Sequence, residues 1–457
     1  MGKMLLCASA VLVCLGLSGC GTVERADSLG LMRPLRSDIP AYRAPELRKQ
    51  ADKLAQPTFP KEHRATLTLR ESLGLALQHN PELQSFAWEL RVQEAEILQA
   101  SLPPNPVLTG MVENFGGHRP LNHFEGAMST FRLSQLIELG EKRMKRKRLA
   151  EENQALSAWD YEAKRLEVIT QVARRYIEVL ADQQRVALAQ ETLALTEQMY
   201  KIVQDRAATG VVATVQIDKA LVRVSDEQIQ LHNTQQKLAA TRQQLTAMWG
   251  NAEPVFTEVT GELENVAKIP EQQRLMQFVL QNPHIARWGA EIARRQAAVA
   301  VAESLAVPSV TLGAGLRRFN ATDENAFVVE VGVPLKLFDR NQGGRLKARY
   351  NLLQAQTQQK NAEIRIQSLL IENYKKLAAA HYEVVTLRDE TLPAARSAYA
   401  AARQTFEKGL TDYLDVLDAE RTLVHAEKQY IETLANYHQT TATLEGLIGA
   451  SLANINQ

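Results

Sequence analysis

The spacing of apolar positions along this chain changes from a helical period to an alternating one and back, and it does so twice. From about Leu69 to Leu102 apolar residues recur at the helical period. Pro103-Pro104-Asn105-Pro106 stops that run, because proline donates no backbone hydrogen bond and restricts the residue before it. An alternating stretch follows, then a long helical one. Asn80-Pro81 recurs as Asn282-Pro283, Pro106 as Pro308 and Arg143 as Arg345, each 202 positions on (282 minus 80). A fixed offset of this kind marks one structural unit that has been duplicated.

The alternation is clearest in the second copy. Phe327, Val329, Val331, Val333, Leu335 and Leu337 alternate with Ala326, Val328, Glu330, Gly332, Pro334 and Lys336. Upstream, Val310, Leu312, Ala314 and Leu316 alternate with Ser309, Thr311, Gly313 and Gly315. In the first copy Phe131, Leu133, Ile137 and Leu139 alternate with Arg132, Ser134 and Glu138, Leu136 breaks the polar face, and Val107 to Phe115 alternates weakly. Polar turns at 116–123 and 320–325 split each pair. Each copy therefore supplies one β-hairpin, at about 105–139 and about 308–338, with strands of roughly ten to thirteen residues, as tilted membrane strands require.

Long helices come next. No proline or glycine occurs from about Glu141 to Arg206, which makes about 65 residues or ~100 Å of helix. Leu166, Ile169, Ala173, Tyr176 and Leu180 trace a coiled-coil seam, as do Leu370, Asn373, Leu377, Ala380, Val384 and Leu387 in the second copy. Gly210 and Gly409 are the tip turns, from which return helices run over about 214–249 and 412–447. Pro393 should bend or locally unwind the second long helix. The last helix carries one apolar stripe of Leu414, Leu417, Val424 and Ile431 and another of Leu423, Ala426, Tyr430 and Tyr437, so it is packed on two sides within a wall of helices.

The resulting division is 1–19, a signal peptide; 20–68, an extended, proline-punctuated segment laid on the surface; 69–250, the first repeat; 251–270, a linker; 271–450, the second repeat; and 451–457, a tail. Lys3 precedes an apolar stretch, Leu5 to Leu17, too short to span a bilayer comfortably. The three cysteines are Cys7, Cys14 and Cys20, and the first two leave with the signal. The mature chain then has no partner for Cys20, so it forms no internal disulfide or thiolate metal site.

Composition narrows the class. With 457 residues the chain suits two or three lobes. A net charge of +1 disfavours nucleic acid as partner, and only 6% aromatic residues with abundant Ala, Leu, Gln and Glu favour long helices over an α/β enzyme. No nucleophile–base pair, phosphate loop or His-Glu metal motif is present, so an enzyme, a bound cofactor and a resident metal are not expected.

Four strands cannot close a membrane barrel alone, since open edges in hydrocarbon leave backbone groups unpaired. Three chains pool about twelve strands, within the range of outer-membrane barrels. The helices are too long and too polar for a bilayer and should project from it as a tube of coiled coils.

At this point the chain resembles the TolC-like outer-membrane efflux channel family, the outer membrane factors. The likeness rests on the duplicated helix–hairpin–helix layout, on Asn80-Pro81-Glu82-Leu83, and on Gly409 followed by Asp415-Val416-Leu417-Asp418-Ala419. Val112 to Gly117, Gln135 to Arg143 and Phe338 to Gly344 are similar to the CzcC-like heavy-metal efflux branch, with Leu136 where that branch usually has Pro and Glu141 where it usually has Gly. Leu17-Ser18-Gly19-Cys20 resembles the bacterial lipoprotein box, which implies lipidation of Cys20, and Gly21 after it implies delivery to the outer membrane.

The resemblance implies a mainly α fold with a small β part. It would be a homotrimer with a twelve-stranded barrel above a helical tunnel in the periplasm, lipid-anchored in the outer membrane. Its partners would be a periplasmic adaptor (membrane fusion protein) and an inner-membrane RND-type pump. Its cargo would be metal cations of the Co/Zn/Cd or Cu/Ag type. A duct for drugs, organic compounds or polypeptide is the alternative, and a poreless periplasmic coiled-coil adaptor lipoprotein is an alternative of another class.

Asp415 and Asp418, at i, i+3 just past the second tip, place two carboxylates on one helix face, six around a trimer opening. The resemblance makes them the periplasmic gate. It also implies a gate-bonding Tyr and Arg in some relatives where this chain has Phe406 and Thr411, and at the first tip Gln216 stands opposite Asp415, with Asp218 nearby. The basic run Lys142, Arg143, Lys145, Arg146, Lys147 and Arg148, echoed by Arg345, Lys347 and Arg349, opposes the helix dipole and suits phospholipid headgroups at the foot of the barrel. The same residues also suit i, i+4 pairing with Glu151 and Glu152. His118 and His123 in the first outer turn lack the carboxylate or thiolate neighbours of a metal site.

Overall fold

The computed structural model describes residues 35–36, 38–44, 46, 66–119, 121–210, 212–254, 256–279 and 282–455. Cys20 and the signal segment lie outside the described residues. Four long-range elements of each repeat appear in order: an upper helix, a hairpin, a descending helix and a return helix.

The upper helix of the first repeat is two helices, α1 (Leu69–His79) and α2 (Pro81–Ser101), where one continuous helix was expected. Asn80 makes the break. Its side-chain oxygen accepts from the Leu83 amide at 2.9 Å, capping α2 with Pro81 in the first turn, and its amide nitrogen donates to the Met248 carbonyl at 2.8 Å. The second repeat does the same with Asn282. It caps α6 (Pro283–Ser304) by accepting from the His284 amide at 2.7 Å and donates to the Leu447 carbonyl at 2.8 Å. The repeated Asn-Pro thus starts one helix and holds the end of another. Thr68 and Glu71 complete a capping box at the start of α1.

Strands β2 (Val107–Glu113), β3 (Met128–Ile137), β5 (Val310–Phe319) and β6 (Glu324–Gly332) form one antiparallel sheet in the order β2-β3-β5-β6. β3 and β5 reach ten residues, within the expected length, whereas β2 has seven and β6 nine. β2 ends at Asn114, which has φ +62°, and β6 ends before Pro334, which has no amide to donate. One face carries Leu108, Phe131, Leu133, Leu316, Phe327, Val329 and Val331, all exposed. The other carries Thr109, Glu113, Thr130, Arg132, Ser134, Arg317 and Glu330. On that polar face Arg132 pairs with Glu330 across β5, and Arg317 lies 2.9 Å from the Thr130 hydroxyl and 3.8 Å from Glu113.

The descending helix α3 (Lys142–Ala208) runs 67 residues, and α4 (Val215–Thr246) returns from its tip, ending in a 3-10 turn over Ala247–Trp249. The second descending helix is α7 (Gln342–Thr386) and α8 (Leu392–Glu407), joined by a π-helical turn over Leu387–Thr391 just before Pro393. That turn is the local unwinding expected of a proline inside a helix. α9 (Tyr413–Ile448) is the return helix. The seams are buried at Leu166, Ile169, Tyr176 and Leu180 and at Leu370, Leu377, Ala380, Val384 and Leu387. Of the two apolar stripes on α9, only Leu414 is largely exposed.

At the membrane end the helices stand in a row α2–α3–α6–α7, and toward the tips α4–α3–α9–α8. Gly446 marks a close approach of α9 to α3, since a Cβ there would collide with Thr170. Segment 251–270 was expected to be a plain linker, and 20–68 to lie on the surface. Instead β4 (Glu258–Val259) pairs in parallel with β1 (Thr66–Leu67), and the Tyr176 hydroxyl donates to the Leu67 carbonyl at 2.9 Å. Leu35, Ile39 and Ala44 are buried, and Tyr161 and Arg165 donate to the Tyr42 and Arg36 carbonyls at 2.6 and 2.8 Å. Apolar side chains in these segments explain the docking: they join the main core with Trp249 and Leu434. The short helices α5 (Gln272–Phe278) and α10 (Leu452–Ile455) complete the described elements.

Candidate functional site

The two tips meet around a second apolar core made of Met199, Val203, Tyr399, Phe406, Tyr413, Val416 and their neighbours. Gly210 (φ +74°) and Gly409 (φ +78°) turn the chain in the left-handed conformation that glycine adopts without strain. Asp412 caps α9 by accepting from the Tyr413 amide at 3.0 Å. Asp415 and Asp418 follow, both exposed, nearly one turn apart on the same face. Neither carboxylate pairs with a cation of its own chain among the described residues. The first tip differs. Gln216 is buried with its carbonyl oxygen unpartnered, while Asp218 is exposed. Only the second tip therefore presents a paired carboxylate face.

Two contacts tie the tips together. The Arg206 guanidinium at the end of α3 lies 4.5 Å from the centre of the Phe406 ring and donates to the Phe406 carbonyl. A Cβ on Gly409 would come within 3.1 Å of that guanidinium. Phe406 in turn packs on Tyr413, ring centres 6.0 Å apart, and the Thr405 and Thr411 hydroxyls lie 3.0 Å apart. Higher up, Arg223 of α4 donates to Glu420 of α9 at 3.1 and 3.3 Å, Thr196 of α3 donates to the same oxygen at 3.2 Å, and Arg223 also grips Glu227. Burial raises the pKa of Glu420 against the pull of Arg223, and burial pushes the Tyr413 phenol up to about 12.

Sequence reasoning missed Arg206, Arg223, Glu227 and Glu420. One signal was available. Tyr413, Val416, Glu420, Leu423 and Glu427 follow a heptad column, so Glu420 is a charge at a core position.

At the foot of the sheet the basic run is mostly paired within the chain. Lys142 is buried and donates to the Ser309 hydroxyl at 2.6 Å. Arg146 clamps Glu138, Lys145 donates to the Gly140 carbonyl at 3.3 Å, Lys147 lies 3.3 Å from Glu151, and Arg148 lies 2.5 Å from Glu152. Arg345 is half-buried, and Arg349 lies 2.8 Å from Glu303. Arg143 and Lys347 are exposed and make no side-chain hydrogen bond or ion pair among the described residues, although the charge of Arg143 acts on Glu138. His118 and His123 sit in the turn between β2 and β3, closed by the Gly116 amide donating to the His123 carbonyl at 2.9 Å. Among the described residues no group of three or more His, Cys, Asp or Glu is placed to hold a metal, and no helix is long and apolar enough to cross a membrane.

A lipid-facing sheet with free edges, continuous with helices that run far beyond a bilayer to a carboxylate-lined tip, is the architecture of an outer-membrane efflux channel. The chain belongs to the Outer membrane efflux protein family, whose pattern matches residues 72–251 and 275–450, one match per repeat. It is 33% identical over 393 residues to the cobalt-zinc-cadmium resistance protein CzcC of Cupriavidus metallidurans, covering 86% of this chain and 92% of that protein. It is 23% identical over 388 residues to the probable outer membrane lipoprotein SilC of Salmonella typhimurium, covering 79% and 81%. Among solved structures, a crystal structure of CusC superposes with a TM-score of 0.71 at 17% identity, covering 90% of this chain and 99% of that one. The Campylobacter jejuni CmeC outer membrane channel superposes with a TM-score of 0.71 at 16% identity, covering 90% and 94%.

Proposed function

We propose that three copies of this chain close into an outer-membrane duct that exports metal cations handed over by a periplasmic adaptor and an inner-membrane RND-type pump. The carrying observation is the four-stranded sheet, whose edges β2 and β6 have no partner within the described residues while its outer face is apolar. Such edges in hydrocarbon must be paired by further copies, and three give a closed barrel. Exposed Val92 and Leu98 on α2 and Leu346, Tyr350 and Leu353 on α7 supply two free apolar edges at the membrane end of the helical row, and Val215, Leu221, Val222 and Ile229 on α4 supply one toward the tips. A poreless adaptor has no use for a membrane-length apolar sheet.

The metal cargo is supported by the relationship to a cobalt-zinc-cadmium resistance protein. It is also supported by the unpaired Asp415 and Asp418 at the second tip, which in a trimer form a ring that favours cations. Cys20 carries the lipid anchor in this reading. Arg143 and Lys347 meet headgroups at the foot of the barrel, while Lys142 and Arg146 brace the junction from within. Export of an organic compound is the second reading, favoured by 24% identity over 308 residues to the pyoverdine export outer membrane protein OpmQ of Pseudomonas putida.

The test is a deletion strain challenged with Zn, Co, Cd, Ni, Cu and Ag salts and a panel of drugs, together with planar-bilayer recording of the purified protein. Lost tolerance to a group of metal salts is expected. Lost tolerance to organic compounds alone would favour the second reading, and a water-soluble, non-conducting monomer would sink the duct.

A further inference from the structure

Glu420 is a carboxylate where the heptad places a core residue, and it is 3% exposed. Its Oε1 accepts from Thr196 of α3 at 3.2 Å and from Nε and Nη2 of Arg223 at 3.3 and 3.1 Å. The other terminal nitrogen of Arg223 grips Glu227, one turn along α4 and itself 2% exposed, whose Oε2 has no hydrogen-bond partner. The remaining titratable groups facing Glu420 are Tyr399 of α8 and Tyr413 of α9, phenols that burial keeps neutral. Arg403 and Glu407 of α8 bear on Tyr399, and Arg421 of α9 bears on Tyr413. Two carboxylates, both almost wholly buried, thus share one guanidinium, with one negative charge in excess. An unbalanced ion there is strongly disfavoured, and a proton removes the imbalance.

We propose that the Glu420–Arg223–Glu227 cluster binds one proton while the two tips are packed together, and that losing it as pH rises loosens them. The proton belongs on Glu420. Glu227 shares α4 with Arg223 and moves with it, whereas Glu420 reaches Arg223 from the other repeat. The sign follows from linkage. When the tips part, Glu420 meets water and binds protons less tightly than in the packed state. Acid therefore favours packed tips, and rising pH favours parted ones. Burial raising the pKa of Glu420 agrees with this direction. The inference rests on the duct reading, because it concerns the opening of the same tip.

The test uses the purified full-length trimer, with assembly of each variant checked by heat-modifiable bands. Conductance is recorded from about pH 5 to 8, which lies above the ordinary carboxylate value. In parallel, nitroxide labels at Thr214→Cys and Lys408→Cys report the distance between tips. Wild type should conduct several-fold more, and its labels should move apart, as pH rises. Glu420→Gln, which is permanently neutral, should stay low and flat with fixed label distances. Arg223→Gln, which strands two carboxylates, should conduct and separate at pH values where wild type is closed. A flat wild-type label distance overturns the inference. So does a pH response that survives in Glu420→Gln. A wild type whose labels move but which never conducts would fail the duct reading and leave the proton site standing.

Discussion

Arg206, the last basic residue of the first descending helix, lies flat over Phe406 near the end of the second, 4.5 Å from guanidinium carbon to ring centre. It also donates to the Phe406 carbonyl, so one side chain holds both the ring and the backbone of the opposite tip. The tie thus runs from the end of α3 to the end of α8. Stacking of this kind on a largely buried ring contributes about 1 kcal/mol, and the charged hydrogen bond about as much again. Arg206→Ala should therefore raise the population of parted tips by an order of magnitude or more, since each 1.4 kcal/mol is about tenfold. Arg206→Lys keeps the charge but loses the planar fork, and should fall between. Closed-state conductance and the sensitivity of cells to a bulky antibiotic such as vancomycin would check the order; an alanine variant indistinguishable from wild type refutes the tie.

Asp415 and Asp418 are exposed and form no ion pair among the described residues, so replacing them should leave the fold of the tip undisturbed. The double change Asp415→Ala with Asp418→Ala should reduce cation selectivity and block by multivalent cations, with stability changed by less than about 0.5 kcal/mol. Reversal potentials in a salt gradient read the first effect, and thermal dissociation of the trimer reads the second. Unchanged selectivity in the double variant removes these residues from the gate.

Asn80 and Asn282 perform one task in two places, so they should respond alike. Asn80→Ala loses a helix cap, worth about 1 kcal/mol, and leaves the partly buried Met248 carbonyl without its donor, worth about 1 kcal/mol more. Asn282→Ala should cost a similar amount through the Leu447 carbonyl. Asn80→Ser keeps a capping oxygen and loses the donated bond, so about half the loss should return. Denaturant midpoints of the assembled protein measure all three. A loss at one site and none at the other would contradict the shared role.

Much of this fold is written in periodicity. The duplicated pattern, the coiled-coil seams, the tip glycines and the unwinding before Pro393 are local or strongly repeated signals, and they appear where the spacing places them. The break at Asn80 was hidden because the apolar period runs on through it; only the partner carbonyl of Met248, 168 positions away, shows why the helix must stop. The β1–β4 pair is two residues long, too short for any period to register, and it joins segments 192 positions apart (258 minus 66). β2 and β6 ended early because a continuing alternation shows neither the positive φ of Asn114 nor the missing amide of Pro334. At the tips, the matching positions 216 and 415 are both polar, and only packing turns Gln216 inward and Asp415 outward. Arg206 and Glu420 were hidden for the same reason, since a lone charge on a helix has no direction until its neighbours are known.

The start of α3 carries a departure whose effect can be measured. Gly140 and Glu141 both have positive φ, +71° and +58°, and the second has a Cβ that this conformation crowds. Members of the branch that this chain resembles usually have glycine there, which fits the geometry. The Glu141 side chain offers little in return: its one ion pair, with Lys145, is 3.9 Å long and on the surface. Glu141→Gly should therefore stabilise the junction by about 1 kcal/mol through relief of the left-handed strain. Gly140→Ala should do the reverse and by more. A Cβ there meets Val307 at 2.9 Å as well as the unfavourable φ, so a loss of about 2 kcal/mol is expected. Thermal midpoints of the two variants should move in opposite directions from wild type. If Glu141→Gly is destabilising, the weak pair with Lys145 contributes more than its length implies, and the strain argument fails.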